Sequence, residues 1–259
     1  MTSAEGGRRA GWFTGSDADP DAPFTAFVFP HAGGSAAQYR SWSQTMPPGF
    51  DVRVLQLPGR QERFQEKALD DLDAVVEALQ EPFEGELDGR PYLIFGHSFG
   101  ALLAYRLAVA LVRDGGTAPA LLGVSGWAPG SEVAGPGRET VAGLSDAELL
   151  DRVAELGMMP HGVSLDPATL ATVLPALRGD LLAVGGFRDD LAPAPCPVAA
   201  FGGADDPLLP GEGMDAWARR GTDFLGTTTF PGGHFYLFDH AAAVQHSLGR
   251  HLRRLVPTA

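Results

Sequence analysis

The sequence has a single cysteine, Cys196, among its 259 residues. One cysteine cannot form an intramolecular disulfide, and no metal-ligand spacing surrounds it, so a reducing cytosol suits the chain. Positive charge is also scarce, with 19 Lys and Arg against 32 Asp and Glu and a net charge of −13. This negative field repels phosphate backbones and anionic membranes, so we expect neither nucleic acid nor a membrane as a partner.

The sequence also lacks a long hydrophobic run. Its longest apolar stretch, Ala101–Val112, is interrupted by Arg106 and is too short to span a bilayer. Two arginines near the N-terminus are followed by a polar segment broken by Gly and Pro, which is not the apolar core of a signal peptide. We therefore expect a cytoplasmic monomer, with a disordered leader over residues 1–22 and one domain over residues 23–259.

From Phe24 onward, short β-prone segments alternate with segments of helical length and periodicity. The predicted strands lie in Phe24–Pro30, Val52–Leu57, Tyr92–Phe95, Leu121–Val124, Val198–Phe201 and Gly226–Phe230. The predicted helices between and after them are Ala36–Met46, Leu69–Phe83, Phe99–Val112 and Ala241–Leu255. This alternation predicts an α/β fold, with a mostly parallel sheet covered by helices on both faces. Active sites of such sheets lie outside the carboxyl ends of the strands.

One region breaks the alternation. Residues 128–188 carry helical patterns, Ser145–Leu156 and Pro167–Leu182, but no good strand. Ser145 and Glu148 have the spacing of a capping box at a helix start. We therefore predict a helical lid inserted over the carboxyl end of the sheet.

A strong motif follows the predicted strand YLIF. The sequence there reads Gly96-His97-Ser98-Phe99-Gly100 and continues into a predicted helix. This is G-x-S-x-G in the strand, sharp turn and helix context of the α/β-hydrolase nucleophile, and it makes Ser98 the candidate nucleophile. Glycines flank the serine because the strained turn leaves no room for neighbouring Cβ atoms.

A serine hydroxyl needs a base, and this fold orders its triad as serine, acid and histidine. His234 lies in a Gly-rich loop after the last predicted strand, so it is the candidate base. After the strand VAAF, two adjacent aspartates, Asp205 and Asp206, compete to orient the imidazole. We favour Asp206, because G-x-x-D-P is the usual shape of this turn in the fold.

The oxyanion hole needs two backbone N–H donors, one after the nucleophile and one from an early loop. Phe99 supplies the first, and Ala32 in the run PHAGGS is the predicted second donor. This loop lacks the Lys and Ser or Thr pair of a P-loop, so it is not a phosphate cradle. Nothing calls for a metal or an organic cofactor.

With these motifs, the sequence resembles the external, or type II, thioesterases that accompany polyketide synthases and nonribosomal peptide synthetases. The resemblance covers about residues 24–256. Its specific parts are the runs PHAGGS, LPGRQER, GHSFG, FGGADDP and GGHFYLF, with LSDAELLDRV and LPALRGDLLAV resembling the family's lid. It implies hydrolysis of acyl thioesters from the phosphopantetheine arm of an acyl or peptidyl carrier protein, which clears stalled or aberrant acyl groups. A small-molecule carboxylesterase or an acyl-CoA thioesterase on the same fold stays an alternative, because fold does not fix function.

The sequence leaves substrate choice and docking open. Trp127 stands where the family leads us to expect a basic or smaller residue. Apolar residues of the insertion could line an acyl pocket or form the lid's own core; they are Met158, Met159 and Phe187. Arg60 and Arg63 could meet an acidic carrier protein or the phosphate of its arm, or they could form internal salt bridges.

Overall fold

A seven-stranded sheet forms the centre of the computed structural model, which describes residues 11–15, 19, 21–130, 136–158, 166–209, 213–221 and 223–256. The strands are β1 (Phe13–Gly15), β2 (Phe24–Phe29), β3 (Phe50–Leu55), β4 (Tyr92–His97), β5 (Leu121–Ser125), β6 (Val198–Gly203) and β7 (Phe224–Phe230). Their order across the sheet is β1-β3-β2-β4-β5-β6-β7. Only β1 is antiparallel to its neighbour, so six strands run parallel, and the mostly parallel sheet is confirmed.

Helices cover both faces of this sheet. They are α1 (Trp42–Thr45), α2 (Leu72–Glu84), α3 (Phe99–Arg113), α4 (Arg138–Gly143), α5 (Asp146–Glu155), α6 (Pro167–Gly186) and α7 (Tyr236–Leu255). Buried side chains of α2 and α3 form one core with one face, whereas α1 and α7 pack with the other. The predicted α/β architecture with two covered faces is therefore confirmed.

Strand β2 is apolar at every position except Thr25. Phe27 and Phe29 point into the core shared with α2, whereas Ala26 and Val28 point into the core shared with α7. Successive side chains of a strand face opposite sides, so a strand covered on both sides needs apolar residues on both of its faces. All six residues of β2 are buried.

Three helices, α4 to α6, lie between β5 and β6. Their own small core consists of Val141, Leu149, Val153, Leu177 and Leu181. Ser145 and Glu148 form the predicted capping box at the start of α5. Among the described residues, the stretch Ala168–Gly186 in α6 is long and apolar enough to cross a membrane by length and composition alone. Its buried side chains pack against α4 and the sheet core.

The structure corrects the predicted disordered leader over residues 1–22 at residues 11–15. Residues 13–15 form the edge strand β1, and the Phe13 ring lies 5.3 Å from the ring of Phe27. The Arg63 guanidinium lies 4.2 Å above the ring of Trp12. Two adjacent aromatic side chains give this segment enough apolar area to join the core, although its neighbours are polar. Residues 1–10, 16–18 and 20 of the predicted leader lie outside the described part of the chain, where the prediction is not tested.

The structure also differs from the predicted helices in two places. The predicted helix Ala36–Met46 is a 3-10 helix, Ala36–Tyr39, followed by the short α1. Helix α4 was not predicted, because a six-residue helix is too short to show helical periodicity.

Candidate active site

Ser98 lies at the sharp turn between β4 and α3. Its backbone has φ 55° and ψ −119°, a conformation that residues other than glycine rarely adopt. The Ser98 N–H donates to the Ser125 carbonyl at 2.7 Å, which ties the turn to β5. The turn is thus held in the strained geometry typical of a nucleophile at the top of an α/β-hydrolase sheet.

The glycines on either side of Ser98 are required by close backbone approach. A Cβ on Gly96 would lie 2.1 Å from the Gly100 carbonyl oxygen, and one on Gly100 would lie 2.1 Å from the Phe29 carbonyl oxygen. No real Cβ contact is that short. The motif therefore packs the start of α3 directly against β2 and the loop that follows it.

His234 and Asp206 form a buried pair. His234 Nδ1 lies 2.8 Å from Asp206 Oδ2, and the Leu208 N–H donates to the other carboxylate oxygen at 2.9 Å. His234 Nε2 is buried and has no hydrogen-bond partner among the described residues. Asp205, in contrast, is exposed to solvent. Of the two competing aspartates, Asp206 is the one in contact with the imidazole.

The two predicted oxyanion donors lie beside Ser98. Ala32 and Phe99 line the same small cavity as the serine. Within the part of the chain that the structure describes, neither amide donates a hydrogen bond. Phe99 is also the first residue of α3, whose N-terminal dipole favours negative charge. Both amides are therefore free to bind an oxyanion at this point.

Two further histidines surround the site. His31 Nδ1 lies 3.0 Å from the Tyr39 hydroxyl, and His97 Nδ1 lies 2.8 Å from Ser125 Oγ. Burial, reinforced by the charges of His234 and Arg60, lowers the pKa of His31 to about 3. Burial also lowers the pKa of His97 well below its usual value. Both imidazoles therefore stay neutral at pH 7 and add no positive charge next to His234.

Two cavities meet at the site. The inner cavity, of about 40 Å³, contains Ser98 and is walled by Trp127, Leu181, Val184 and Leu208. The outer cavity, of about 350 Å³, has a polar wall from the segments after β2 and β3 and an apolar wall from α5 and α6. Ala32 and Met158 line both cavities, so the outer one leads towards the serine.

This combination of fold and site has known relatives. The sequence profile of the thioesterase domain family matches residues 24–252, most of the chain. The chain belongs to the thioesterase family. Among the described residues, no group of three or more His, Cys, Asp or Glu side chains is placed to hold a metal ion.

Individual thioesterase relatives agree with this membership. The chain is 30% identical to the gramicidin S biosynthesis protein GrsT of Aneurinibacillus migulanus, over 88% of each chain. It is 33% identical to the thioesterase PikA5 of Streptomyces venezuelae, over 90% of this chain and 82% of the relative. The structure of the type II thioesterase BorB from the borrelidin biosynthetic cluster superposes with a TM-score of 0.79 and 34% identity, over 93% of this chain and 98% of BorB.

The resemblance seen in the sequence motifs is thereby confirmed. The protein is a type II thioesterase of the kind found with nonribosomal peptide and polyketide pathways, and hence a thioester hydrolase. Its α/β-hydrolase fold is shared with these thioesterases.

The two arginines considered for docking are not free in this thioesterase. Arg60 and Arg63 are both 6% exposed. Arg60 is bound to Asp180 through two hydrogen bonds of 2.9 Å, and Arg63 is bound to Glu66. Of the two alternatives left open by the sequence, the structure shows the internal salt bridges, Arg60 with Asp180 and Arg63 with Glu66.

The three apolar residues that the sequence assigned either to an acyl pocket or to the lid core lie in different parts of the protein. Met158 lines both cavities, whereas Met159 lies outside the described residues. Phe187 is buried against Trp127, with ring centroids 6.1 Å apart, and is absent from the cavity walls. Burial raises the pKa of the Cys196 thiol to about 12, so it is a core residue and not a nucleophile.

Sequence reasoning missed Asp180. This carboxylate is 1% exposed in the middle of α6, and it contacts both Arg60 and the loop that carries Ala32. Its signal in the sequence was a lone acidic residue within a long apolar helical run. Such a residue is rarely buried unless it is paired.

Proposed function

We propose that this type II thioesterase hydrolyses acyl groups from the phosphopantetheine arm of acyl or peptidyl carrier proteins, through an acyl-enzyme on Ser98. His234 is the general base and acid, Asp206 orients its imidazole, and the amides of Ala32 and Phe99 bind the oxyanion. The carrier protein is the partner, the protein acts as a cytoplasmic monomer, and its role is to clear stalled or aberrant acyl groups.

The observation that carries this proposal is the outer cavity that leads to Ser98 beside a buried His234–Asp206 pair. A phosphopantetheine arm is long and narrow, with two amides and one branched apolar segment. The outer cavity presents Ser35, Gln38 and Gln61 on one wall and apolar side chains of α5 and α6 on the other. This lining suits both the amides and the apolar segment of the arm.

The chemistry follows from the positions of these groups. Ser98 Oγ attacks the thioester carbonyl carbon while its proton passes to His234 Nε2, which has no hydrogen-bond partner among the described residues and so is free to accept it. The carbonyl oxygen becomes an oxyanion held by the Ala32 and Phe99 amides. The carbon–sulfur bond then breaks, and the thiolate takes the proton from His234. A water activated by the same imidazole hydrolyses the acyl-enzyme and restores Ser98.

The inner cavity suggests which acyl groups fit. Its volume of about 40 Å³ in this structure accommodates only a small acyl group beside Ser98. Trp127, which is 5% exposed, closes this cavity and packs against Tyr105 and Trp217. We therefore expect acetyl and propionyl thioesters to be better substrates than long-chain ones.

The proposal is tested with acetyl- and octanoyl-phosphopantetheinyl carrier protein, followed by mass spectrometry of the arm. Matched acyl-CoA and p-nitrophenyl esters are assayed alongside. Ser98→Ala is the inactive control, and Ser41→Ala, at an exposed serine, controls for the substitution itself. Ser98-dependent release that favours the carrier supports the proposal. Fast ester or acyl-CoA cleavage with the carrier untouched would overturn it in favour of an esterase or an acyl-CoA thioesterase.

A further inference from the structure

A single buried carboxylate joins three distant segments at the edge of the active site. Asp180 Oδ2 accepts from the Gly33 N–H at 2.7 Å and from Arg60 Nη1 at 2.9 Å. Asp180 Oδ1 accepts from Arg60 Nη2 at 2.9 Å. Asp180 lies on α6, Arg60 follows β3, and Gly33 belongs to the loop after β2. The carboxylate therefore links the helical insertion to the loop that carries Ala32.

This loop is a tight turn whose shape depends on its neighbours. The Gly34 N–H donates to the His31 carbonyl at 2.8 Å, and Gly33 has a φ of +70°. Arg60 Nη1 also donates to the Gly34 carbonyl at 3.1 Å. A Cβ on Gly33 would lie 3.0 Å from the Cβ of Leu177 on α6. The helix thus packs on the turn and also binds it.

The bond from Gly33 to Asp180 fixes one peptide plane in particular. The Gly33 N–H belongs to the peptide that joins Ala32 to Gly33. Turns interconvert by flipping their central peptide, which changes the backbone torsions on either side of it. A flip here would move the Ala32 backbone, and oxyanion donors act only when they point at the developing charge.

Stability alone does not explain this arrangement. A buried ion pair is often no more stabilising than apolar residues of similar volume, because both charges lose their hydration. An apolar residue at position 180 would suit the rest of α6, whose Ala176, Leu177, Leu181 and Ala183 are all buried. Such a residue could not accept the Gly33 N–H.

We infer that Asp180 is a positioning residue, which makes the Ala32 side of the oxyanion hole depend on the docking of α6. This inference rests on the proposed role of the Ala32 amide. In this role Asp180 does not contact the substrate. It acts by fixing the Ala32–Gly33 peptide, and with it the shape of the turn from His31 to Gly34, whose His31–Ala32 peptide carries the Ala32 N–H.

Two variants separate positioning from packing. Asp180→Asn is isosteric, and its amide oxygen in the place of Oδ2 can still accept from the Gly33 N–H and from Arg60 Nη1, whereas its NH2 group faces Arg60 Nη2 and cannot accept from it. The double variant Asp180→Leu with Arg60→Met removes both charges and leaves the Gly33 N–H without an acceptor. Asp51→Asn is the matched control, because Asp51 is 3% exposed and binds Arg53 and Arg90 at the opposite, amino-terminal edge of the sheet.

We expect kcat of the double variant to fall about 10- to 100-fold, below the roughly 10²- to 10³-fold cost of losing a whole oxyanion donor. Asp180→Asn keeps an acceptor for the Gly33 N–H, so its kcat should fall less. KM should stay within about threefold. Affinity for a short alkylboronic acid, which forms a tetrahedral adduct on Ser98, should fall with kcat. Binding of a carrier protein whose arm bears an S-ethyl thioether should not change. Asp51→Asn should lose stability while keeping kcat.

Two results would overturn the inference. One is a double variant that keeps the stability and the kcat of the wild-type enzyme, which would make Asp180 a partner in a structural ion pair only. The other is an Asp51→Asn variant that loses as much kcat as the double variant. All rates are also measured with p-nitrophenyl acetate. If the wild-type enzyme cleaves this ester but not the acyl carrier, the proposed substrate fails, and the same variants still decide the role of Asp180.

Discussion

Asp206 Oδ2 lies 2.8 Å from His234 Nδ1, and the two side chains are almost completely withdrawn from solvent. A carboxylate in this position holds the imidazole with Nε2 free to accept a proton, and it stabilises the imidazolium that forms. Its second oxygen binds the Leu208 N–H, so the same aspartate also fixes part of the inner cavity wall.

The first prediction concerns the two adjacent aspartates. Asp206→Asn should lower kcat by about 10³- to 10⁴-fold, because an amide can stabilise the wrong imidazole tautomer. Asp205→Asn should stay within about twofold of the wild-type enzyme, because Asp205 is exposed. Thiol release from acetyl carrier protein under saturating substrate measures both. Equal losses at the two positions would contradict the assignment.

The second prediction concerns stability in acid. The pKa of His31 is about 3 in the folded protein, against about 6.5 when unfolded. Below pH 6.5 the unfolded chain therefore binds a proton that the folded one refuses, so stability falls as the pH drops from 6.5 towards 3. Above pH 6.5 neither the folded nor the unfolded state binds this proton, so His31 no longer makes the unfolding free energy depend on pH.

His31→Gln removes that titration. The pH dependence of the unfolding free energy should become shallower by up to about 1.4 kcal/mol per pH unit on the acid side. Urea unfolding between pH 4.5 and 7.5 measures this slope. His246→Gln, at an exposed histidine on α7, is the control and should leave the slope as it is. An unchanged slope in His31→Gln would mean that His31 does not resist protonation in the fold.

The third prediction concerns backbone approach at the nucleophile turn. Gly100→Ala should inactivate the enzyme and lower its free energy of unfolding by about 1–3 kcal/mol or more. The reason is that the new Cβ would lie 2.1 Å from the Phe29 carbonyl oxygen. Gly143→Ala on α4 is the matched control, since a Cβ there meets no atom within 4 Å. Thermal unfolding and titration of reactive Ser98 report the two effects. A stable, active Gly100→Ala variant would refute the packing described for this turn.

Much of the site followed from chain order. Ser98, Asp206 and His234 follow β4, β6 and β7, and parallel strands end at a common edge, so their proximity could be expected from the sequence. Strand β1 could not be predicted from the sequence, because three residues beside a polar segment show no periodicity. Asp180 could not either, because its partners Arg60 and Gly33 lie 120 and 147 residues away, and only tertiary packing joins them.

Trp127 carries the last prediction, which concerns acyl-chain length. Its side chain walls the inner cavity, and behind it lie the aromatic rings of Tyr105, Phe187 and Trp217. Trp127→Leu should extend the cavity towards these rings. The ratio of kcat/KM for octanoyl over acetyl carrier protein should then rise by about tenfold or more, because apolar contact in a pocket distinguishes substrates by factors of this size.

Phe187→Leu is the matched control for this change. Phe187 packs against Trp127 in the same aromatic cluster but does not line the cavity, so it should lose stability without changing the octanoyl to acetyl ratio. A series of acyl carriers from two to ten carbons, assayed with each variant, separates the two effects. If Trp127→Leu keeps the wild-type length profile, the acyl chain does not run towards Trp127. The Met158 side of the inner cavity, which opens into the outer cavity, would then determine the preference for acyl-chain length.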